Sequence, residues 1–270
     1  MDHPRLSVIT PTFNSEKHLE ACVLSVAQQS YANKEHLIID NLSTDETLEI
    51  LRQYSATYPH IRFISEKDNG IYDAMNKGIS LSEGKWLYFL GSDDCMFNEH
   101  VVTDILTSPE ADVSDIIYGN VQWGENGWRY DGEFSSFKLI EKNICHQAIF
   151  YRRDIFERLG TFDTKYPVLA DWAFNMQCFG NKDIQRTYKD IVIAVYAPNG
   201  YSSKKTDTLF FAEKKILIRK CFPERFVTML YFKQLQNKLV KLKQKLRSLY
   251  KNAADQVIRL YKNLREKRFP

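Results

Sequence analysis

The first ninety residues alternate between strand-length apolar runs and helical periods, and this alternation limits the fold more than any other feature of the chain. Leu6–Thr10 (LSVIT) predicts a buried strand. Asn14 or Ser15 can then cap a helix whose apolar positions Leu19, Cys22, Val23 and Val26 recur at helical spacing. His36–Asp40 (HLIID) predicts a second strand, and Ser43 or Thr44 can cap a helix over Asp45–Tyr54. A third strand at Ile61–Ser65, a helix at Ile71–Ser82 and a fourth strand at Lys85–Leu90 complete the series. Strand and helix alternating at this pitch point to an α/β fold, a mostly parallel sheet flanked by helices.

Ligands of such sheets bind beyond the carboxyl ends of the strands. The polar residues that follow each strand are therefore the candidates. They are Thr10-Pro11-Thr12, Asp40-Asn41, Glu66-Lys67-Asp68 and Gly91-Ser92-Asp93-Asp94. Three of these four groups carry carboxylates. Beyond residue 110 the pattern is less regular. Ile116–Tyr118 and Ala148–Tyr151 read as strands, Arg153–Leu159 and Asp171–Cys178 as short helices, and 199–203 as a flexible loop. Residues 207–268 read as helical apart from a break at Pro223.

Charge is segregated. From Arg219 to Pro270 there are fifteen Lys or Arg against three acids, so the first 218 residues carry −9 of a total of +3. Within the tail, apolar residues at 235, 239, 242, 246, 249 and 253 form a heptad seam, with Lys238, Lys241, Lys243, Lys245, Arg247 and Lys251 around it. Coiled coils usually balance their flanks with Glu, which is absent from 225–265. A basic amphipathic helix lying on an anionic membrane suits this pattern better. A homodimeric coiled coil and a helix packed on the catalytic domain are the alternatives. No nucleic-acid motif accompanies the charge, so nucleic acid is not expected as a partner. Apolar runs are only strand-length, no signal-peptide core precedes the first strand, and the five scattered cysteines make no CxxC pair. The expectation is a cytoplasmic protein, peripheral on the inner face of the membrane.

Adjacent carboxylates at a strand end, Asp93-Asp94, suit a hard divalent cation such as Mg²⁺ or Mn²⁺, which completes its shell with water and phosphate oxygens. A solvated turn or helix cap would use the same residues. Asp40 ends its strand with a carboxylate at the same sheet edge, where it can accept from a base N–H or ribose hydroxyls. No GxGxxG follows the first strand and no GxxxxGK[ST] occurs, so neither a nicotinamide Rossmann domain nor a P-loop NTPase is supported.

The runs SVITPTFN (7–14), IIDNLSTDET (38–47), DNGIYDAMNKGI (68–79), GKWLYFLGSDD (84–94) and HQAIFYRR (146–153) together resemble family 2 glycosyltransferases. The resemblance covers roughly residues 5–200. It implies a GT-A fold and an inverting enzyme, with a GT-A domain at 1–205 and a helical tail at 206–270. It further implies that Thr10, Pro11, Thr12 and Asn14 border the nucleotide and that Asp40 contacts the base. Asp93 then touches the ribose and Asp94 ligates the metal, with Asp68, Asn76 and His146 counted with the donor site. Asp171, in LADWAF, matches the general base. Many relatives carry a second carboxylate beside it where Ala170 stands here, and Asp163 is a rival. Asp171 opens a helix, whose positive end favours a carboxylate and lowers its pKa, so a base role needs apolar surroundings such as Trp172. His146 reads equally as a phosphate or metal ligand and as a structural residue. Adjacent Cys145 cannot pair with it as nucleophile and base, because neighbouring strand residues face opposite ways.

The function implied is sugar transfer from a nucleotide-diphosphate donor, of the UDP class, to a hydroxyl of a lipid-linked or glycan acceptor in surface polysaccharide assembly. A sugar nucleotidyltransferase would need a Gly-rich loop after the first strand, and TPTFNSEKH has no glycine. A catalytically silent membrane-associated module would not need Asp40, Asp93, Asp94 and Asp171 together.

Overall fold

The structure, a computed structural model, describes residues 5–124, 127–197, 200 and 205–266, with side chains as far as Arg259. Contacts divide the chain into two units, one ending at Phe222 and one starting at Pro223.

The first unit is built on a mixed sheet. Its strands are β1 (Leu6–Thr12), β2 (Lys34–Asp40), β3 (Ile61–Ser65), β4 (Trp86–Phe89), β5 (Cys95–Met96), β6 (Ile116–Trp123), β7 (Arg129–Tyr130), β8 (Ile149–Arg152) and β9 (Arg186–Tyr196). Among the described residues their order is β3-β2-β1-β4-β8-β6-β9-β5, with β7 paired to β6. The half β3-β2-β1-β4 is parallel, as the alternation of strand and helix requires. Beyond β4 the pairing changes: β8 runs antiparallel to β4 and β6, while β9 runs parallel to β6.

Helices cover both faces of the parallel half. Leu19 and Val23 of α1 (Leu19–Ala27) and Leu51 and Tyr54 of α2 (Thr47–Thr57) bury against Ile38 and Ile61. α3 (Ile71–Leu81) lies on the other face, over Ile9, whose neighbour in register is Leu37 rather than Ile38. Gly78 permits that approach, since a Cβ there would sit 2.3 Å from Ile9 Cγ2. The helices α4 (Val101–Leu106), α5 (Glu110–Val113), α6 (Ser136–Glu141), α7 (Asp154–Leu159) and α8 (Ala170–Gly180) come next, and α9 (Thr208–Cys221) packs on α8. The side chain of Phe210 in α9 is fully buried and stacks on Trp172 of α8 with centroids 5.0 Å apart. The first unit thus extends past residue 205, the boundary expected from sequence.

The caps expected for α1 and α2 form differently. Neither helix has a side-chain cap. The Asn14 carboxamide accepts from the Thr44 N–H at 2.9 Å, the Asn14 N–H donates to Ser43 Oγ at 2.8 Å, and the Ser15 N–H donates to Thr47 Oγ1 at 2.8 Å. These polar groups tie the loops after β1 and β2 to each other. Asn14 has φ of 48°, a left-handed conformation that Asn tolerates better than most residues. The loop expected over 199–203 lies outside the described residues apart from Gly200.

The second unit is the helix α10 (Glu224–Glu266), 43 residues long. Its seam residues Leu235, Leu239, Leu242, Leu246 and Leu249 are between 49% and 57% exposed. No helix among the described residues is long and apolar enough to cross a membrane.

Candidate active site

A cleft of about 760 Å³ opens at the carboxyl ends of β1 and β4. Pro11, Thr12, Phe13, Asn14 and Ser15 after β1, Asn41 after β2, Asp68 after β3 and Gly91–Asp94 after β4 line one side. The segment Lys142–Gln147 and the start of α8, with Asp171, line the other. Expected site residues Pro11, Thr12, Asn14, Asp68, Asp93, Asp94, His146 and Asp171 therefore share one cleft. The loops are tied across it: Ser15 and Ser92 hydroxyls lie 2.9 Å apart, and Asn41 Oδ1 accepts from the Asp68 N–H at 2.8 Å.

Asp94 is 2% exposed. Its Oδ2 accepts from Gln147 Nε2 at 2.5 Å and its Oδ1 from the Ala197 N–H at 2.8 Å. Burial, followed by the neighbouring Asp93 charge, pushes its carboxyl up to about 7. Gly91 makes room for the pair, because a Cβ there would lie 2.6 Å from Asp94 Oδ2 and 3.0 Å from Asp93 Oδ1. No group of three or more His, Cys, Asp or Glu side chains converges as a metal site among the described residues. The pair still fits a hard cation that takes one or two carboxylates and fills its remaining positions with water and phosphate oxygens. Each Asp94 oxygen retains a lone pair, and a positive ion would offset the burial and the Asp93 repulsion that together raise the Asp94 carboxyl.

Asp171 is 5% exposed and lies in the first turn of α8. It does not act as a side-chain cap for that helix. Oδ1 accepts from the Tyr72 hydroxyl at 2.7 Å and from the Trp172 N–H at 2.8 Å, and Oδ2 accepts from Asn143 Nδ2 at 2.8 Å. These donors favour the carboxylate, but burial outweighs them and pushes the carboxyl up to about 6. The low pKa expected from the helix end is thus reversed by desolvation. Asp207 fixes the approach to α8: its Oδ2 accepts from the N–H groups of Val168 and Leu169 at 3.1 and 3.2 Å, while Oδ1 caps α9 through the Phe210 N–H. Rival Asp163 is a half-exposed residue paired with Lys165 and does not line the cleft.

His146 lines the cleft in the short 3-10 turn before β8. Burial lowers its pKa to about 4, so the ring is neutral near pH 7. Nδ1 is 3.9 Å from Asp171 Oδ2, too long for a hydrogen bond, and the buried Nε2 has no partner among the described residues. Cys145 also lines the cleft, but burial holds its thiol near a pKa of about 12, so it offers no thiolate.

Three residues expected at the donor site do not line the cleft. Thr10 is buried within β1, with its Oγ1 2.9 Å from His36 Nε2 on β2. Asp40 is fully buried, with Oδ1 accepting from Ser43 Oγ at 2.5 Å and Oδ2 from Ser65 Oγ at 2.6 Å. Asn76 clamps the backbone of Phe162, donating to its carbonyl at 2.9 Å and accepting from its N–H at 3.0 Å. Asn41, a candidate by its place after β2, lines the cleft, whereas Tyr72, Asn143 and Gln147 belong to the site although their sequence positions do not single them out. Gln147 and Tyr72 stand inside the motifs HQAIFYRR and DNGIYDAMNKGI, which is the available signal.

Residues 7–169 match the family described as Glycosyl transferase family 2. The chain belongs to that family and is a glycosyltransferase. It is 39% identical over 199 residues to a PGL/p-HBAD biosynthesis glycosyltransferase of Mycobacterium tuberculosis, covering 73% of this chain and 78% of the relative. Among solved structures it is similar to S. aureus TarS in complex with UDP, with a TM-score of 0.63 and 22% identity over 79% of this chain and 64% of that one. It is also similar to the mannosyltransferase PcManGT of Pyrobaculum calidifontis, in complex with GDP-Man and Mn²⁺, with a TM-score of 0.65 and 18% identity over 85% of this chain and 69% of that one. The architecture is the GT-A fold, carrying a long C-terminal helix.

Proposed function

We propose that the enzyme transfers a glycosyl group from a nucleoside-diphosphate sugar, of the UDP class, to a hydroxyl of a lipid-linked or glycan acceptor, with inversion, in surface polysaccharide assembly. The observation that carries this reading is one cleft lined both by the Asp93-Asp94 pair and by the buried carboxyl of Asp171. In this reading Asp171 takes the proton of the acceptor hydroxyl as its oxygen bonds to the anomeric carbon. The bond from that carbon to the diphosphate oxygen breaks, and the nucleoside diphosphate leaves with the electron pair. A base on the face opposite the leaving group gives inversion in a single displacement. A carboxyl near 6 is mostly ionised at neutral pH yet basic enough to accept a proton. Tyr72 and Asn143 hold its two oxygens in place. Asp93 and Asp94 would hold Mg²⁺ or Mn²⁺, which when bound supplies positive charge against the diphosphate. Thr12, Asn14, Asn41 and Asp68 would border the nucleotide, and His146 its phosphates, through a neutral ring with an unpaired Nε2. Asp40 would then act on the base only indirectly, by fixing Ser43 and Ser65.

The exposed leucine seam of α10 and the lysines around it support a second part of the reading, peripheral association with an anionic membrane. A donor-hydrolysis panel with UDP-glucose, UDP-N-acetylglucosamine and GDP-mannose, with and without Mn²⁺, tests the central claim. Turnover of at least one donor is expected, lost in excess chelator. Binding without turnover would favour the silent module, and pyrophosphate release from a nucleoside triphosphate and a sugar phosphate would favour the nucleotidyltransferase.

A further inference from the structure

We propose that an aromatic wall formed by Trp123, Trp128, Tyr130 and Tyr196 is the acceptor subsite, and that it holds a pyranose ring by stacking. The proposal rests on the glycosyl-transfer reading of the cleft and adds the class of acceptor that the cleft takes.

Strand register puts the four rings together. In the β6–β7 ladder Val121 pairs with Tyr130 and Gln122 with Arg129. The Trp123 N–H donates to the Trp128 carbonyl at 3.1 Å, which carries the same register one pair further. Directly opposed residues share a face, and so do residues two apart. Trp123, Trp128 and Tyr130 therefore share one face. Parallel pairing of β6 with β9 sets Tyr196 beside Trp123. Ring contacts agree, with Trp123 5.2 Å from Tyr196 and 6.4 Å from Tyr130 between centroids. Tyr130 and Tyr196 line the cleft, so this face continues the cleft wall outward. It also adjoins the acidic pair, because the residue after Tyr196, Ala197, donates its N–H to Asp94.

Exposure gives the wall its meaning. Trp128 is 86% exposed and Trp123 42%. Two large apolar rings exposed beside the cleft, Trp123 in ring contact with the two tyrosines that line it and Trp128 on the same strand face by register, form a patch of the kind that marks a binding groove. An alkyl chain needs an enclosed dry channel, which a ring as open as Trp128 cannot provide. A pyranose has one face of C–H groups rimmed by hydroxyls, and it suits flat rings with polar edges. Indole N–H and phenol O–H groups can meet such a rim. Lys142 also lines the cleft, with Nζ 3.7 Å from the Tyr130 ring centroid, and adds a charged donor.

The test uses the full chain and its own fluorescence. Of the four tryptophans, Trp86 and Trp172 are buried, so acrylamide quenching reports on Trp123 and Trp128. The probes are the methyl pyranosides of glucose, galactose, mannose and N-acetylglucosamine and their β-linked disaccharides, added with UDP present. At least one should give saturable protection from quenching. Trp128→Ala should weaken that binding by about tenfold, the scale of one aromatic stacking contact, and Trp128→Phe should recover most of it. Thermal melting checks that each variant is folded. Absence of saturable protection by every sugar, or equal affinity in Trp128→Ala, would overturn the proposal. Protection by phosphatidylcholine–phosphatidylglycerol vesicles in place of sugars would also overturn it, since the wall would then be a membrane contact. Calorimetry with UDP separates the two levels. UDP binding without sugar binding removes only the acceptor wall, whereas loss of both removes the transfer reading on which it rests.

Discussion

Asp171 is the residue at which burial and function pull hardest against each other. Its carboxyl stands near 6, above the ordinary value of 3.8, because desolvation exceeds the help of Tyr72, Trp172 and Asn143. A base must be ionised, so transfer should rise with pH through about 6 and level off above it. A pH profile of kcat/KM checks this, and a flat profile between pH 5 and pH 8 would remove Asp171 from the role. Asp171→Asn should lower transfer by roughly 100- to 10,000-fold while nucleotide affinity holds. Collapse of nucleotide affinity would instead put Asp171 in the donor site. The same shift makes a stability prediction. A carboxyl with a raised native pKa contributes stability below its unfolded value, and that contribution is lost as pH rises through about 6. The gap between 3.8 and about 6 corresponds to about 3 kcal/mol at most. Asp171→Asn should therefore melt higher than wild type at pH 8, with the difference gone near pH 4. Asp94→Asn should stay folded and lose most activity and its response to Mn²⁺, because it removes one charge from a two-carboxylate pair. Full turnover by this variant, or by wild type in chelator, would sink the metal reading. At this scale the sequence is informative for Asp93 and Asp94 after β4 and for Asp171 at the start of α8, all of which line the cleft, but not for Asp40, which also ends a strand and turns inward to Ser43 and Ser65. It misleads where a side chain's direction depends on a distant partner. Thr10 turns to His36 across the sheet, and Asn76 turns to Phe162.

Elements are legible to the extent that a single amphipathic period governs them. β1, β2, β4 and α3 lie close to their expected positions because each buries a continuous apolar run or stripe, while β3, at the edge of the sheet, buries only Ile61. β9 escapes a reading by period because Arg186, Lys189 and Asp190 interrupt its first half, and most of its side chains are only part-buried. Alternation is therefore blurred, although the strand carries Tyr196 into the cleft. α9 reads as tail because its Lys and Arg content resembles that of α10. Phe210 and Ile218 bury it against the first unit instead. Asp207 is the joint between α9 and the end of α8 that carries Asp171, and it suggests a prediction at this scale. Asp207→Ala removes a helix cap and leaves the N–H groups of Val168 and Leu169 without their acceptor. Together these should cost about 2–4 kcal/mol. Because Leu169 directly precedes α8, kcat should fall further than UDP affinity in whatever fraction remains folded. Urea unfolding with kinetics on the same preparation checks both. A variant that loses stability but keeps full kcat would mean that α8 holds Asp171 without this joint.

For the molecule as a whole, the decisive property is how its charge is divided. The first 218 residues carry −9, so an anionic surface should repel them, while the remainder carries +12. Each Lys or Arg near an anionic bilayer contributes roughly 1 kcal/mol of attraction, and six of them lie between Lys238 and Lys251 around the exposed leucine seam. Truncation after Gln234 removes the seam and its charges together. The full chain should co-sediment with vesicles containing phosphatidylglycerol at low salt and leave them near 1 M salt, where screening shortens to about 3 Å. The truncated chain should stay in solution, because what remains is predominantly acidic, while donor hydrolysis persists. Charge reversal of Lys241, Lys243 and Lys245 to Glu separates the two contributions, since it leaves the leucines in place. If those charges carry the attraction, reversal should release the enzyme as fully as truncation. Equal binding to phosphatidylcholine vesicles would assign the contact to the apolar seam alone. No binding to either vesicle, with a concentration-dependent dimer that the truncation abolishes, would assign the seam to a second copy of the chain.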